Sequence, residues 1–595
     1  MASSARIETG SERCDPITLE IVSGAVSSAL KEMEAVIERT AMSPFIREKK
    51  DFNAALYDAQ SRLIAHSGLG GATNVIDPVV AQFPIDTMRP GDIYWYNDCY
   101  GSRGAVSHTP DQVFVRPVFV DGKVVAFTES WAHFNDIGGM RPGTLSPDCT
   151  EIFQEGTIVP PVRLARADEI NDDLVRLFAR NSRYPEMVLG DVRALLASVR
   201  LGERRLGEIF KRYGPLVVAD AFDQLIRRTT AEVLHRVRKM FGEGEYRATE
   251  ILDSDGFSGP FHIVYKLTVG ANRISLDATE SSDQCKGPFN YLMTPDTPAT
   301  TLASILLAGD KRFAVNHGAA AVLDSVALRE GSILQPQFPA ALGLRGVTAM
   351  RAQNAWFGLI AKATDGQTNA SNCAYVVCYL RGGDDDGKPF MITDPLGLGY
   401  GARPYADGND GIYLSANENY PVEFVESSYP LRIRSYGLVM DSGGAGRWRG
   451  GCGIVREIEV LAPSAMLGIR MDSIDFPPWG LKGGMSGGRG SCVINPRTPD
   501  EVVVNPVSDG TIVKRGDIVR VITGGGGGWG HPHDREPERV LEDVLCGFVS
   551  AEAAARDYGV SITPEGEIDT DRTAALRATR PEVKLFHRDG YCDEI

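Results

Sequence analysis

One dipeptide constrains this chain more than any other. Asp121-Gly122 sits between two apolar-rich runs, residues 112–120 and 123–130. Asp-Gly accepts the positive φ values of a type I′ turn, whose twist matches that of two antiparallel strands. The two runs therefore fold back on each other as a hairpin. Paired strands lie about 5 Å apart, so the residues flanking the hairpin meet at one edge. His108 and Asp111 stand just before the first run, in Ser107-His108-Thr109-Pro110-Asp111. His133 stands just after the second, in Trp131-Ala132-His133-Phe134-Asn135-Asp136. The chain has nine histidines, and the hairpin brings two of them to a carboxylate. Imidazole nitrogen with carboxylate oxygen suits Zn, Mn or Fe and leaves positions open for water or substrate. The plainer alternative is a hydrogen-bonded structural cluster of the same three side chains.

Composition removes several classes of function. A net charge of −16 argues against nucleic-acid binding, which calls for a basic face. No run of about 18 apolar residues occurs, so no membrane span is expected. The first fifteen residues are polar and lack the apolar centre of a secretory signal. Ten cysteines without a Cys-x-x-Cys pair suggest reduced, mostly buried thiols in a cytoplasmic protein.

At 595 residues the chain is long enough for several domains. Asp15-Pro16 opens a helix, with Asp as cap and Pro at the first position. Leu19, Val22, Val26, Leu30 and Met33 follow at helical spacing. Residues 52–58 read as a strand that turns at 58–61 and pairs with 63–65; 92–96 is another strand. Residues 174–180, 185–213 and 215–241 carry helical periodicity with many Arg and Glu, most simply solvated faces or subunit contacts. Residues 246–276 read as strands, 297–307 as a helix and 391–522 as short strands with Gly-rich turns. The tail from 536 is charged, helical at 540–545 and 551–557, and ends in what reads as a peripheral arm. The fold class predicted is α+β: multidomain and mixed, with antiparallel sheets, an Arg/Glu-rich helical segment and a β-rich C-terminal half. The expected divisions are 15–165 (metal-binding α+β region), 166–242 (helical), 243–390 (mixed), 391–535 (β-rich, Gly-rich) and 536–595 (charged tail).

Other residues are candidates for chemistry. Asp51 starts a strand and is a candidate fourth ligand, or a surface carboxylate paired with its neighbour Lys50. Asp136 is a candidate general base or ligand-orienting carboxylate near His133, or a turn-former before Gly138-Gly139. Glu151 and Glu155 lie four apart and offer an acid/base, or belong to a loop packed on the site. Cys99 and Cys149 show no nucleophile signature. Gly524 to Gly528 lacks the Gly-Lys-Ser/Thr and the following helix of a phosphate cradle, and reads as a flexible turn, a lid or a subunit contact. The glycines of Asp441-Ser442-Gly443-Gly444 form a second such loop. No Walker, dinucleotide or kinase motif occurs, so ATP is not expected on this chain.

From about Asp15 to Tyr558 the sequence resembles the B-type subunits of the hydantoinase/oxoprolinase family, which includes subunits of caprolactamase and of acetone and acetophenone carboxylases. The resemblance is carried by Asp15-Pro16-Ile17-Thr18-Leu19-Glu20-Ile21, Arg39-Thr40-Ala41-Met42-Ser43-Pro44, Asp51-Phe52, Asn97-Asp98 with His108 to Asp111, and His133 to Gly139. Glu151-Ile152-Phe153-Gln154-Glu155-Gly156, Pro421-Val422-Glu423, Asp441-Ser442-Gly443-Gly444, Pro477-Pro478-Trp479-Gly480 and the Gly524 run complete it.

The resemblance implies one divalent ion held by His108, Asp111 and His133, with Asp51 completing the set; in the mechanism this suggests, Asp136 or Glu151 is the candidate to shuttle the proton. It also implies an A-type partner subunit in a hetero-oligomer, which binds ATP-Mg and phosphorylates a small-molecule substrate. The reading that follows is an ATP-dependent cyclic-amide (hydantoin, oxoproline or lactam) hydrolase. A ketone carboxylase using bicarbonate is the alternative, and a non-catalytic assembly subunit the third. Two departures from the family pattern bear on substrate. The loop from Asn97 to His108 is longer than usual and carries Arg103, and the usual His-His pair is His133-Phe134. Both are expected to reshape the pocket, leaving room for an aromatic or larger substrate.

Overall fold

The computed structural model describes residues 14–67, 74–413, 418–580 and 583–588. It is a mixed α/β structure with several antiparallel sheets, as the sequence predicted. The first sheet holds seven strands: β1 (Phe52–Asp58), β2 (Leu63–His66), β3 (Ile93–Tyr96), β4 (Asp111–Val120), β5 (Lys123–His133), β6 (Val162–Arg166) and β7 (Glu169–Ile170), in the order β2-β1-β5-β4-β3-β6-β7. The Asp-Gly hairpin forms its centre. Asp121 and Gly122 both take positive φ, 49° and 76°. The pairing runs from Val120↔Lys123 to Asp111↔His133, so the strands are longer than expected and the two candidate ligands are their last paired residues.

The helices Pro16–Thr40 and Pro185–Tyr213 pack together on one face of this sheet. Asp15 caps the first, accepting from the backbone of Ile17 and Thr18. Its stripe of Leu19, Val22, Val26, Leu30 and Met33 is buried against Ala54, Leu56, Leu206 and Phe210. Apolar residues at this spacing face one side, and burying that side stabilises the helix far more than propensity does.

A second sheet is built from Gly244–Leu252, Phe261–Val269, Ile274–Asp277 and Ser325–Ala327, its last pair parallel. The helix Gly346–Ala363, which no local pattern in the sequence had singled out, packs across it. Two further antiparallel sheets follow, one containing Val376–Gly383 and Ser464–Met471, the other Ile454–Val460 and Ile518–Ile522. The largest core runs through all three, from Val237 to Trp356, Ile469 and Val521.

Two expectations need correction. The Gly524–Gly528 run is neither a lid nor flexible. Residues 524–530 are all buried, and their backbone is bonded to four other segments. Gly526 N donates to Gly451 O, Gly525 N to Gly488 O, Gly527 N to Ser371 O, and Gly399 N to Gly524 O. A Cβ on Gly526 would lie 2.1 Å from the Tyr400 backbone, and one on Gly525 1.7 Å from Ser442 O. These glycines let backbones touch where no side chain fits. The second correction concerns the tail. Phe586 and His587 pair with Leu481 and Gly480, and Arg588 is buried with an ion pair to Glu250 at 2.8 Å. Residues 586–588 are therefore packed into the core, and 589–595 lie outside the described residues.

Among the described residues the cysteines are unbonded, and all but Cys546 are buried. No described helix is long and apolar enough to cross a membrane.

Candidate metal centre

His108, Asp111 and His133 converge at the open end of the hairpin, all buried, with one ligand atom of each within 4.8 Å of the others. Local bonds hold the turn that carries them. Asn97, at the end of β3, donates from Nδ2 to Thr109 O at 2.7 Å and accepts from Val159 N. Thr109 Oγ1 donates to Glu155 O, and Phe134 N to Pro110 O. On the other strand His133 N donates to Asp51 O at 3.0 Å, and the Phe45 ring lies 4.4 Å from the imidazole.

The polar geometry suits a cation. His108 Nδ1 lies 3.0 Å from Gly343 O. A carbonyl only accepts, so Nδ1 carries the proton and Nε2 presents a lone pair in the neutral ring. That Nε2 faces Asp111 Oδ1 at 2.8 Å and His133 Nδ1 at 3.3 Å, and His133 Nδ1 lies 3.2 Å from the same oxygen. Burial, with Arg345 nearby, pushes His108 down to about 4 against the pull of Asp111, so the ring is neutral near pH 7. Burial raises the Asp111 carboxyl, but the polar groups packed around it, Arg345 among them, outweigh that and hold it below the ordinary carboxylate range. The His108 lone pair, the Asp111 carboxylate and His133 Nδ1 are thereby gathered at one point, one donor atom from each residue. A tetrahedral ion with bonds of about 2.0–2.1 Å needs donor-to-donor edges of about 3.3 Å. The observed edges need to open only by tenths of an ångström, and the N,N,O set fits Zn, Mn or Fe.

Asp51 lies outside this tight group but lines the same cavity. Its ordinary partner is not Lys50, which pairs with Glu38 at 2.6 Å. Burial and the charge of Asp111 push its carboxyl up to about 6, against His133 and Arg345. The other two sequence candidates are placed elsewhere. Asp136 is buried but fully used: it accepts from Gly138 N, Gly143 N, Ser182 Oγ and Arg183 N, and pairs with Arg183 Nη1 at 3.0 Å. Glu151 is exposed and caps the short helix Ile152–Glu155 in a reciprocal arrangement with Gln154. Neither is part of the cavity lining.

Glu155 is the more telling of the loop carboxylates. It is buried, and Oε1 accepts from Leu342 N and Gly343 N at 2.8 and 2.5 Å. The same Gly343 presents its carbonyl to His108, so Glu155 positions the loop that orients the imidazole. Burial outweighs those two bonds and pushes the carboxyl up to about 8.

The cavity beside the cluster has a volume of about 380 Å³. Arg345 enters from one wall, with Nε on Ser107 Oγ at 2.8 Å and Nη2 on Asp111 Oδ2 at 3.3 Å. Arg470 and Tyr375 form another wall, with hydroxyls of Thr297, Thr300 and Ser304 nearer the helices. Sequence reading missed Arg345, Arg470 and Tyr375, since each comes from a segment far along the chain and no local pattern marks it. The departures at Arg103 and Phe134 do not act as expected. Arg103 is exposed and outside the lining. Phe134 directly follows His133, the last residue of β5, and is buried near Phe178, outside the cavity lining.

A mixed antiparallel scaffold with two imidazoles and a carboxylate at one hairpin end, opening on a small charged cavity, defines a class of candidate metal-dependent protein. The chain belongs to the hydantoinase B/oxoprolinase family, whose model matches residues 15–532. It is 31% identical to the B-type chain of a putative D-/L-hydantoinase of Pseudomonas sp. (strain NS671), over 96% of this chain and 100% of that one. The crystal structure of ATP-dependent caprolactamase from Pseudomonas jessenii superposes with a TM-score of 0.83 at 26% identity, covering 95% of this chain and 100% of that chain. The acetophenone carboxylase delta subunit of Aromatoleum aromaticum is 24% identical over 86% of this chain and 81% of its own length.

Proposed function

We propose that this chain is the metal-holding catalytic subunit of an ATP-dependent cyclic-amide hydrolase, working on a substrate phosphorylated by an A-type partner subunit. The observation that carries the reading is the convergence of His108 Nε2, His133 Nδ1 and Asp111 Oδ1 on one point at the cavity wall. Its setting supports it: the likeness extends over the whole length of a hydantoinase B-type chain and of a caprolactamase chain. The lack of a phosphate-binding motif in the sequence supports ATP residing on the partner.

His108, Asp111 and His133 would hold the ion, with Asp51 as the fourth ligand. When bound, such an ion supplies Lewis acidity and a lowered pKa for water. The chain's own residues do the rest. Gly343 fixes the tautomer of His108, Glu155 fixes Gly343, and Arg345 holds the second oxygen of Asp111 so that the first faces the histidines. Prior phosphorylation is chemically sensible: an O-phosphorylated amide has lost its resonance stabilisation and takes up water at carbon more readily. The ring C–N bond then breaks, and phosphate leaves when the resulting acyl phosphate is hydrolysed.

The test is the complex of this chain with its ATP-binding partner, assayed on hydantoin and lactam substrates with ATP, with and without bicarbonate. Ring opening that needs ATP and not bicarbonate is expected. A strict need for bicarbonate with a new carboxylate product would replace this reading with a ketone carboxylase, the reading favoured by the likeness to the acetophenone carboxylase chain.

A further inference from the structure

Arg470 is an exception among the buried arginines. It is 3% exposed, and among the described residues its guanidinium makes no hydrogen bond or ion pair, with Nε fully buried and unpartnered. It lies over the ring of Tyr375, 4.4 Å from the guanidinium carbon. The other arginines buried to this degree each hold a carboxylate. Arg351 pairs with Asp472 at 2.6 Å, Arg381 with Asp509 at 2.7 Å, Arg456 with Asp394 at 2.5 Å, and Arg535 with Asp407 at 2.7 Å; Arg116, Arg449 and Arg588 are paired likewise. Burying a cation without a counter-ion is costly. Among these arginines the fold meets that cost with a carboxylate everywhere except at Arg470, and Arg470 lines the cavity.

The charges of the cavity point the same way. Its lining carries Asp51 and Asp111 against Arg345 and Arg470. Arg345 is committed to Asp111. These four charges balance on their own, so a divalent cation on the cluster makes the cavity positive. A guanidinium stacked on an aromatic ring keeps its fork of N–H donors in a fixed plane, the geometry that grips a carboxylate or phosphate by two bonds.

We propose that Arg470 seats an anionic oxygen group of the substrate, a carboxylate or a phosphoryl group, in the same cavity as the His108–Asp111–His133 cluster. The cyclic amide would then carry a carboxylate, or arrive with its phosphoryl group still attached. This inference rests on the preceding reading only in taking the cavity as the place where substrate is worked on. The anion seat itself requires no ion.

The experiment is calorimetric titration of the full chain with inorganic phosphate and, separately, with acetate. The proteins are wild type, Arg470→Met, Arg470→Lys, and metal-stripped His108→Ala, each checked by circular dichroism. At least one anion binds wild type at a single site. Arg470→Met weakens it about tenfold or more, as loss of a charge-assisted bond predicts. Arg470→Lys, which keeps the charge but not the fork, weakens it less and covers the case in which the Met variant fails to fold. His108→Ala retains binding. Preference for phosphate identifies a phosphoryl group, and preference for acetate a carboxylate. The inference is overturned by no binding of either anion to wild type, by unchanged binding in both folded Arg470 variants, or by binding lost in His108→Ala. Metal analysis of the same samples is a separate readout: an ion-free wild type with Arg470-dependent anion binding would remove the proposed function and leave this inference standing.

Discussion

His108 Nε2 faces His133 Nδ1 at 3.3 Å across the end of a hairpin, and Asp111 Oδ1 lies 2.8 Å from the first and 3.2 Å from the second. The arrangement persists because the strands hold Asp111 opposite His133 and Gly343 holds the far nitrogen of His108.

Asp111→Asn preserves the volume and the hydrogen-bonding reach of the side chain while removing its charge. The expected result is an intact fold, by circular dichroism, with ion content falling from about one per chain to near zero, since the carboxylate supplies the only charged donor of the three. His133→Ala is expected to do the same, and turnover by the complex is lost in both. Elemental analysis of purified protein measures this, and a stoichiometric ion in both variants would remove the site.

Glu155 gives a pH signature. Its folded-state carboxyl is raised to about 8 from an ordinary value of 4.5, so the folded state binds the proton more tightly. The contribution to stability is fully present below about pH 4.5 and is lost as pH rises through about 8. Glu155→Gln keeps an acceptor for Leu342 N and Gly343 N but cannot ionise. Urea unfolding at about pH 5.5 and about pH 9 should show the stability difference moving in favour of Gln at the higher pH. A difference that stays constant would contradict the raised pKa.

Removing the Glu155 acceptor altogether should reach the ion through Gly343 and His108. Glu155→Ala is expected to weaken metal affinity by about 10–100-fold, the usual effect of losing a group that orients a ligand. Competition against a chelator reads it, and affinity equal to wild type would detach Glu155 from the site.

Glycine substitutions separate space from propensity. Gly526→Ala places a methyl 2.1 Å from the Tyr400 backbone, where nothing flexible can give way. A loss of at least about 3 kcal/mol, or failure to fold, is expected. Gly24→Ala lies on an exposed helical face with nothing within 4 Å and should stabilise by about 0.5–1 kcal/mol. Denaturant midpoints of the two variants, compared with wild type, should move in opposite directions.

Arg588 tests the docking of the tail. It shares Glu250 with Arg351, and Trp479 Nε1 donates to the same carboxylate. Arg588→Ala leaves that buried charge short of a partner and should cost about 3–5 kcal/mol, measured by equilibrium unfolding. A surface arm would lose almost nothing.

The parts of this protein legible in its sequence are those set by neighbours along the chain. The Asp-Gly turn dictates the hairpin, the hairpin dictates that Asp111 meets His133, and His108 is carried along three residues away. The amphipathic helices Pro16–Thr40 and Pro185–Tyr213 were legible for the same reason, a periodicity repeated within one segment. Tertiary structure decided the rest. Whether Asp136 or Glu151 reaches the cavity depends on Arg183 and on a short helix cap, and both are turned away. Whether Phe134 faces the ligands depends on its packing against a helix farther along the chain, which carries Phe178. Arg345, Tyr375 and Arg470 arrive from segments whose local sequence carries no mark of the site, and the Gly524 run is explained by backbones from elsewhere pressing on it. Turn chemistry and periodicity are properties of a few adjacent residues. A cavity is a property of segments far apart in the chain, chosen by which surfaces bury one another.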